Sequence, residues 1–270
     1  MSSTLAEMVE GAMREAAETI ILPRFQSLDP AQIEEKSHAE DLVTVADREA
    51  EWFLTERLEA IVAGSKVVGE EAVSLGKTQL SDLEEEGDLW LVDPVDGTGN
   101  FVAGKDRFGI MVARIVQGEV VQSWILPPVD GRLAYAEWGA GASFGGETIT
   151  GRKGVPYQES FGDYSGIYVD EPLRSLFDRN TEDTGGYRQG RCSAYAYLDT
   201  ARGDLDFVVQ YKMTPWDHAA GQLLVEEAGG RFGFLPGGEP YTPQGRPDTP
   251  MLITADAAMW DAYAGFLLRR

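Results

Sequence analysis

The stretch Trp90-Leu91-Val92-Asp93-Pro94-Val95-Asp96-Gly97-Thr98-Gly99-Asn100-Phe101 runs an apolar segment straight into two carboxylates, a proline and a glycine. Pro94 disfavours α geometry at the residue before it, so Asp93 is expected to close a strand, and Asp96-Gly97-Thr98 to turn the chain into a helical start. Both acids then converge on one point, faced by the backbone N–H groups of Gly97 and Thr98. Carboxylates gathered beside exposed amides suit a divalent cation and a phosphate group bound together. Taken alone the stretch has a plainer reading, since Asp-Pro and Asp-Gly are common turn dipeptides.

Other acids stand in similar positions. Val67-Val68-Gly69-Glu70-Glu71 also ends an apolar run in carboxylates. Successive strand residues point to opposite faces, so one of the pair can face a site while the other braces it, or both can belong to a solvated loop. Thr214-Pro215-Trp216-Asp217 precedes an apolar helical pattern containing Ala220, Leu223 and Leu224, and Thr44-Val45-Ala46-Asp47 has the same form. Each reads as a capping box. Asp217 and Asp47 can cap, face a site, or do both.

Helices and strands must bring these acids together. Leu5, Met8, Val9, Ala12, Met13, Ala16 and Ile20 recur at three-to-four spacing and predict a first amphipathic helix ending near Pro23. A second is expected over residues 45–63, with Ala46, Ala50, Phe53, Leu54, Leu58 and Ile61 as its buried stripe. Residues 67–69 and 89–92 read as short buried strands, and 109–116 and 120–125 as two strands joined at Gly118-Glu119, with 133–137 extending the meander. Residues 139–166 are rich in Gly, Ser and Thr and predict the boundary between two lobes. Beyond it, 193–201 and 218–228 read as helices, the second closed by Gly229-Gly230, and 205–210 as a strand.

The chain has 270 residues, 45 acidic against 23 basic, for a formal charge of −22. That field repels nucleic acid and anionic membrane surfaces, so neither is expected as a partner. A phosphate ester would meet the same repulsion unless bound cations reversed it locally. Cys192 is the one cysteine, which excludes an internal disulfide and a thiolate zinc cluster. No apolar run reaches the length of about 18 residues that a membrane span needs, and residues 1–11 do not read as a signal peptide. A soluble cytoplasmic protein is expected.

Gly69-Glu70-Glu71, then Asp93-Pro94-Val95-Asp96-Gly97-Thr98, then Trp216-Asp217-His218-Ala219-Ala220-Gly221 with Glu227-Ala228-Gly229-Gly230, together resemble the inositol monophosphatase family in order and spacing. Asp41-Leu42-Val43-Thr44 with Asp47 is similar to that family's upstream motif, so the resemblance spans nearly the whole chain. It implies an α/β protein, a layered αβαβα sandwich shared with fructose-1,6-bisphosphatase. An α+β lobe over residues 1–145 would carry most of the metal ligands. An α/β lobe over 146–270 would carry Asp217 and the substrate-selecting segment, the two packing as effectively one domain. The resemblance also implies a magnesium-dependent phosphatase holding two or three Mg2+ ions, sensitive to lithium and assembled as a homodimer. Glu70, Asp93, Asp96, Asp217 and the carbonyl of Val95 would bind metal, and Gly97 and Thr98 would hold phosphate through their amides. Thr98 with Asp47 would orient the attacking water, supported by Glu71 and Lys36. The all-oxygen set suits Mg2+ better than zinc.

The departures lie on the substrate side. Gly99 stands where the family has a second threonine, and Gln210, seven residues before Asp217, where inositol enzymes place a glutamate. Arg191-Cys192-Ser193 replaces a Gly-Ser-Ala-like segment. Arg191 can read a second anionic group or pair with a nearby acid, and Cys192 reads as a small buried hydrophobe. His218, directly after Asp217, should point about 100° away from it on a helix, towards packing, and His38 reads as a loop residue. A small phosphorylated metabolite is the expected substrate. Histidinol phosphate, sugar bisphosphates and 3′-phosphoadenosine phosphates all stay open, as does a regulatory binding protein retaining the fold.

Overall fold

Period-3.6 apolar spacing opens the chain as α1 (Leu5–Ala16), capped by Thr4, whose hydroxyl accepts from Glu7 N while the Glu7 carboxylate accepts from Thr4 N. The helix continues through a π turn and a 3-10 turn to Arg24, with Pro23 in the last turn. The structure is a computed structural model and describes residues 4–35, 42–166, 169–245 and 249–270. Lys36, His38 and Asp41 lie outside the described residues.

Short β1 (Ile33–Glu35) and β2 (Leu42–Thr44) pair antiparallel ahead of α2 (Val45–Ile61). β3 (Lys66–Gly69) leads into α3 (Glu70–Ser74), and β4 (Asp88–Asp96) into α4 (Thr98–Val102). Then β5 (Gly109–Val116), β6 (Glu119–Leu126), β7 (Ala134–Glu137), β8 (Gly141–Phe144) and β9 (Glu147–Ile149) complete a seven-stranded sheet in the order β3-β4-β5-β6-β7-β8-β9. Only β3 and β4 pair in parallel there.

The second half runs β10 (Phe161–Tyr164), α5 (Leu173–Thr181), β11 (Gly186–Arg188), α6 (Ser193–Arg202), β12 (Phe207–Gln210), α7 (Pro215–Glu227), β13 (Arg231–Phe234), β14 (Met251–Thr254) and α8 (Trp260–Leu267). Its five strands are ordered β11-β10-β12-β14-β13, with β10 parallel to both of its neighbours.

Period-2 alternation assigns each strand residue to a layer. On β4, Trp90 and Val92 join the core beneath α1 and α2, while Leu89 and Leu91 join the core around α6 and α7. Both faces of the strand are covered, which is why it reads as an unbroken apolar run. Val208 and Ile253 of the second sheet close the middle core, and Phe207, Val209 and Leu252 face Phe177 of α5 and Tyr263 of α8. The result is the expected αβαβα sandwich. No helix among the described residues is long and apolar enough to cross a membrane.

Three local expectations change. β4 does not close at Asp93 but resumes pairing at Asp96 after an irregularity spanning Pro94, which has no N–H to give the ladder. Glu70 and Glu71 open a helix instead of ending a strand, so they diverge by a helical turn angle and not by the strand's alternation. Residues 141–149 extend the first sheet as β8 and β9, so the chain passes between sheets over residues 150–160, inside the expected boundary stretch of 139–166 and a few residues past 145.

Candidate active site

The irregular end of β4 buries Asp93 and carries the chain through Gly97, whose left-handed φ of 84° makes it the cap of α4. A side chain there would be strained, and its Cβ would lie 3.1 Å from the Cβ of Cys192. Asp93 meets Glu70 from the first turn of α3 and Asp217 from the first turn of α7, with one carboxylate oxygen of each within 4.8 Å of the others. Thr214 does not build the expected capping box. Its hydroxyl donates to Asp217 Oδ2 at 2.5 Å, so the carboxylate is held sideways at the helix end.

Burial pushes the Asp93 carboxyl well above the ordinary carboxylate range, and the negative charges of Glu70, Asp96 and Asp217 push it further. Acids forced together in this way can hold a metal ion, and a hard divalent cation fits this oxygen-only set.

Asp96 stands beside the cluster and faces the start of α6. Its Oδ2 accepts from Ala194 N at 2.7 Å and from the Cys192 thiol at 2.8 Å, and its Oδ1 accepts from Ser193 N at 3.2 Å. A carboxylate offers about four lone-pair sites, so these donors orient Asp96 and still leave it an acceptor direction. Burial and the Asp217 charge raise its pKa to about 6, with the donors from Cys192, Ala194 and Ser193 opposing. Burial also pushes the Cys192 thiol up, which keeps it protonated as a donor.

Asp47 caps its helix and also contacts Thr98, a residue of the cleft. Its Oδ2 accepts from Thr44 N at 2.8 Å, completing a capping box on α2, and its Oδ1 lies 3.0 Å from the Thr98 hydroxyl. Thr98 Oγ1 is also 3.0 Å from the Val95 carbonyl, and its single proton can serve one acceptor at a time. Burial raises Asp47 to about 6, opposed by its bonds from Thr44. Glu71 is buried alongside, with Arg48 Nε 3.9 Å from its carboxylate.

A cleft of about 520 Å³ is lined by Glu70, Asp93, Asp96, Thr98 and Asp217, and Arg191, Cys192, Ser193 and Gln210 line it too. Arg191 takes a left-handed φ of 51° in a loop clamped on both sides. Asn100 Nδ2 donates to Arg107 O at 2.8 Å and Gly190 O at 3.2 Å, and Gly190 N donates to Asp163 Oδ1 at 3.1 Å. Asn100, Lys105, Asp163 and Lys212 therefore belong to the cleft without having been expected there. Glu51 is a further omission. Buried on α2, it accepts from the amides of Glu71 and Ala72. An acid four residues after Asp47 and next to the apolar stripe at Ala50 was the available signal.

The sequence profile of the inositol monophosphatase family matches residues 1–263. The fructose-1,6-bisphosphatase/inositol-1-monophosphatase of Thermotoga maritima is 34% identical over 199 residues, 73% of each chain. Bacillus subtilis inositol-1-monophosphatase is 30% identical over 239 residues, 87% of each. The Nus factor SuhB of Pseudomonas aeruginosa is 29% identical over 246 residues, 87% of this chain and 86% of that one. Among solved structures, a Thermotoga maritima IMPase superposes with a TM-score of 0.81 at 25% identity, covering 97% of this chain and 96% of that one. The fold, the acid cluster at the ends of β4, β3 and the β12–α7 connection, and a profile match over nearly the full length agree: the chain belongs to the inositol monophosphatase family.

Proposed function

We propose that the chain is a magnesium-dependent phosphomonoesterase acting on a small phosphorylated metabolite. The observation that carries this reading is the meeting of Glu70, Asp93 and Asp217 in one cleft with Thr98, whose hydroxyl contacts the buried Asp47. Glu70, Asp93, Asp96, Asp217 and the Val95 carbonyl would hold the ions. Bound magnesium would neutralise the ester's charge, acidify the attacking water and stabilise the leaving oxygen.

The remaining work falls to the chain's own groups. The Thr98 hydroxyl, giving its proton to Asp47 Oδ1, presents oxygen lone pairs to a water and so orients it. Asp47, raised by burial to about 6, takes up a proton at neutral pH more readily than an ordinary aspartate. The amides of Gly97 and Thr98, at the same cleft, would seat the phosphate. Glu71 sits behind Asp47 as a supporting charge. Lys105, Arg191 and Lys212 put cations along the cleft, Asp163 a further acid and Gln210 a neutral polar group, so esters with and without a second anionic group both belong in the test.

The test is phosphate release, with and without magnesium, from inositol 1-phosphate, histidinol phosphate, fructose 1,6-bisphosphate and 3′-phosphoadenosine 5′-phosphate. Asp93→Asn is the control and is expected to fall to background. One preferred ester, silent without magnesium, supports the proposal. No hydrolysis of any ester overturns it and favours a regulatory binding role, which the name of the Pseudomonas relative indicates for that protein.

A further inference from the structure

His218 follows a candidate metal ligand, yet its ring is committed elsewhere. It is 1% exposed on α7, with Nε2 2.8 Å from the carbonyl oxygen of Lys212 and Nδ1 against the hydroxyl of Tyr197, a fully buried residue of α6. A carbonyl only accepts, so the partners assign the tautomer: Nε2–H donates to Lys212 O, and Nδ1 accepts from the Tyr197 O–H. An apolar side chain would leave the Tyr197 hydroxyl and the Lys212 carbonyl without these bonds, a costly outcome in a buried place.

Tyr197 is itself immobilised. A Cβ at Gly221, three residues beyond His218, would lie 1.8 Å from Tyr197 Cδ2, so the tyrosine ring occupies the space where α7 has no side chain. The ring also packs on Phe232 with centroids 5.2 Å apart. The hydroxyl is therefore aimed by packing, and the imidazole by the hydroxyl.

The far end of this chain of contacts is the segment 211–214, which joins β12 to α7 and has no helix or strand of its own. Gln210, Tyr211 and Lys212 line the cleft as three consecutive residues, as does Arg191. Backbone outside a regular element takes its position from such side-chain bonds.

We infer that His218 is a positioning residue for substrate selection: anchored by Tyr197, it holds the Lys212 carbonyl and thereby sets the Gln210–Tyr211–Lys212 wall. This goes beyond the hydrolytic machinery, since both ring nitrogens of His218 are engaged by Tyr197 and Lys212 although the residue borders the cleft, but its kinetic arm rests on the proposed phosphatase reading. Glutamine keeps a donor near the place of Nε2, leucine keeps only the bulk, and Tyr197→Phe removes the anchor, together with the bond Ser193 makes to the same hydroxyl, while preserving the packed ring.

The experiment compares full-length wild type with His218→Gln, His218→Leu and Tyr197→Phe in two measurements. The first is the rate of trypsin cleavage after Lys212, which needs no substrate. The second is KM against kcat for the preferred ester at saturating magnesium. In His218→Leu, cleavage is expected to accelerate and KM to rise, each by about tenfold, with kcat changing by less than about threefold. His218→Gln should recover most of both, and Tyr197→Phe should fall between. Equal Lys212 protection in all four proteins overturns the inference, as does a glutamine variant no better than leucine, which would reduce His218 to filler. A fall in kcat at constant KM also overturns it, because His218 would then be acting through Asp217. If wild type hydrolyses nothing, the phosphatase reading fails by itself and the trypsin measurement still decides the role of His218. If His218→Leu does not fold, Tyr197→Phe against His218→Gln carries the same comparison.

Discussion

The Glu51 carboxylate lies 2.7 Å from the backbone nitrogen of Glu71, and its second oxygen lies 2.7 Å from that of Ala72. A buried acid on α2 thus caps the first turn of α3, the turn that presents Glu70 to the cluster. Gly69 makes this possible, since a Cβ there would sit 2.3 Å from Glu51 Cδ. Glu51→Gln turns one acceptor into a donor facing an N–H, and should lower stability by about 1–3 kcal/mol. Because Glu70 shifts with its turn, the rise in Tm on adding magnesium should shrink as well. Gly69→Ala should reproduce both effects by displacing the same carboxylate. Thermal melts with magnesium and with chelator read both, and an unaltered magnesium shift in both variants would show that the cap has no bearing on the site.

Metal-free protein should be more stable at pH 5 than at pH 7.5. Asp47 and Asp96 are raised to about 6 and Asp93 well above its ordinary value, chiefly by burial. The folded state therefore keeps protons that the unfolded chain releases near a pKa of about 3.9. Where the native state binds more protons, stability falls as pH rises, here from about 4 through about 6 and onwards to the Asp93 transition. His218, whose pKa burial lowers, works in the opposite direction below about 6.5, one group against three, while Asp130, held low by Arg132, contributes no slope above about 4. If magnesium binds the cluster as proposed, saturating amounts should flatten or reverse the slope, because the ion would hold the deprotonated acids. Asp93→Asn should flatten the chelator curve by removing the strongest contributor. Melts across this pH range in chelator would refute the account if stability rose with pH.

The acids were legible in the sequence because each ends or begins a regular element, where an apolar run turning abruptly to carboxylate has little other use. The two-faced burial of β4 was legible for a related reason, since an unbroken Trp90-Leu91-Val92 run needs cover on both sides. What stayed hidden is what topology alone brings together. Cys192 reaches Asp96 across 96 residues, and Asn100 reaches Gly190 across 90, with no local pattern to announce either. The burial of Glu51 had a signal in its place beside the apolar stripe, but its partners did not, because they are backbone amides, which every residue but proline possesses. The break in β4 was misplaced by one step: proline does interrupt the ladder, but the strand re-engages β5 through Asp96 and Gly109.

Gly97→Ala should damage stability and turnover together. A left-handed φ of 84° costs an alanine about 1–2 kcal/mol relative to glycine, before its Cβ meets Cys192 Cβ at 3.1 Å and Arg107 O at 3.2 Å. Both neighbours in sequence, Asp96 and Thr98, hold positions in the site, so relief of the contact moves one of them. Urea denaturation should show a loss of about 1–3 kcal/mol, with reduced turnover even at temperatures where the variant is fully folded. Full activity in folded Gly97→Ala would mean that the turn tolerates displacement and does not set the geometry of its flanking residues.

Asp47 and Thr98 should behave as one unit. The 3.0 Å contact between Asp47 Oδ1 and Thr98 Oγ1 aligns the hydroxyl, and the bonds from Thr44 to Oδ2 fix the carboxylate that aligns it. Asp47→Asn and Thr98→Ala should each lower kcat by about 10²–10⁴-fold, the range of a positioned acid–base group. The double variant should lose scarcely more than the worse single one, since on the proposed reading either change alone would already leave the water unoriented. Thr98→Ser keeps the hydroxyl and should retain most of the activity, which separates loss of the oxygen from loss of packing at the start of α4. Multiplicative losses in the double variant would mean that the two side chains act on different steps, with Asp47 then a cap for α2 and Thr98 alone facing the water.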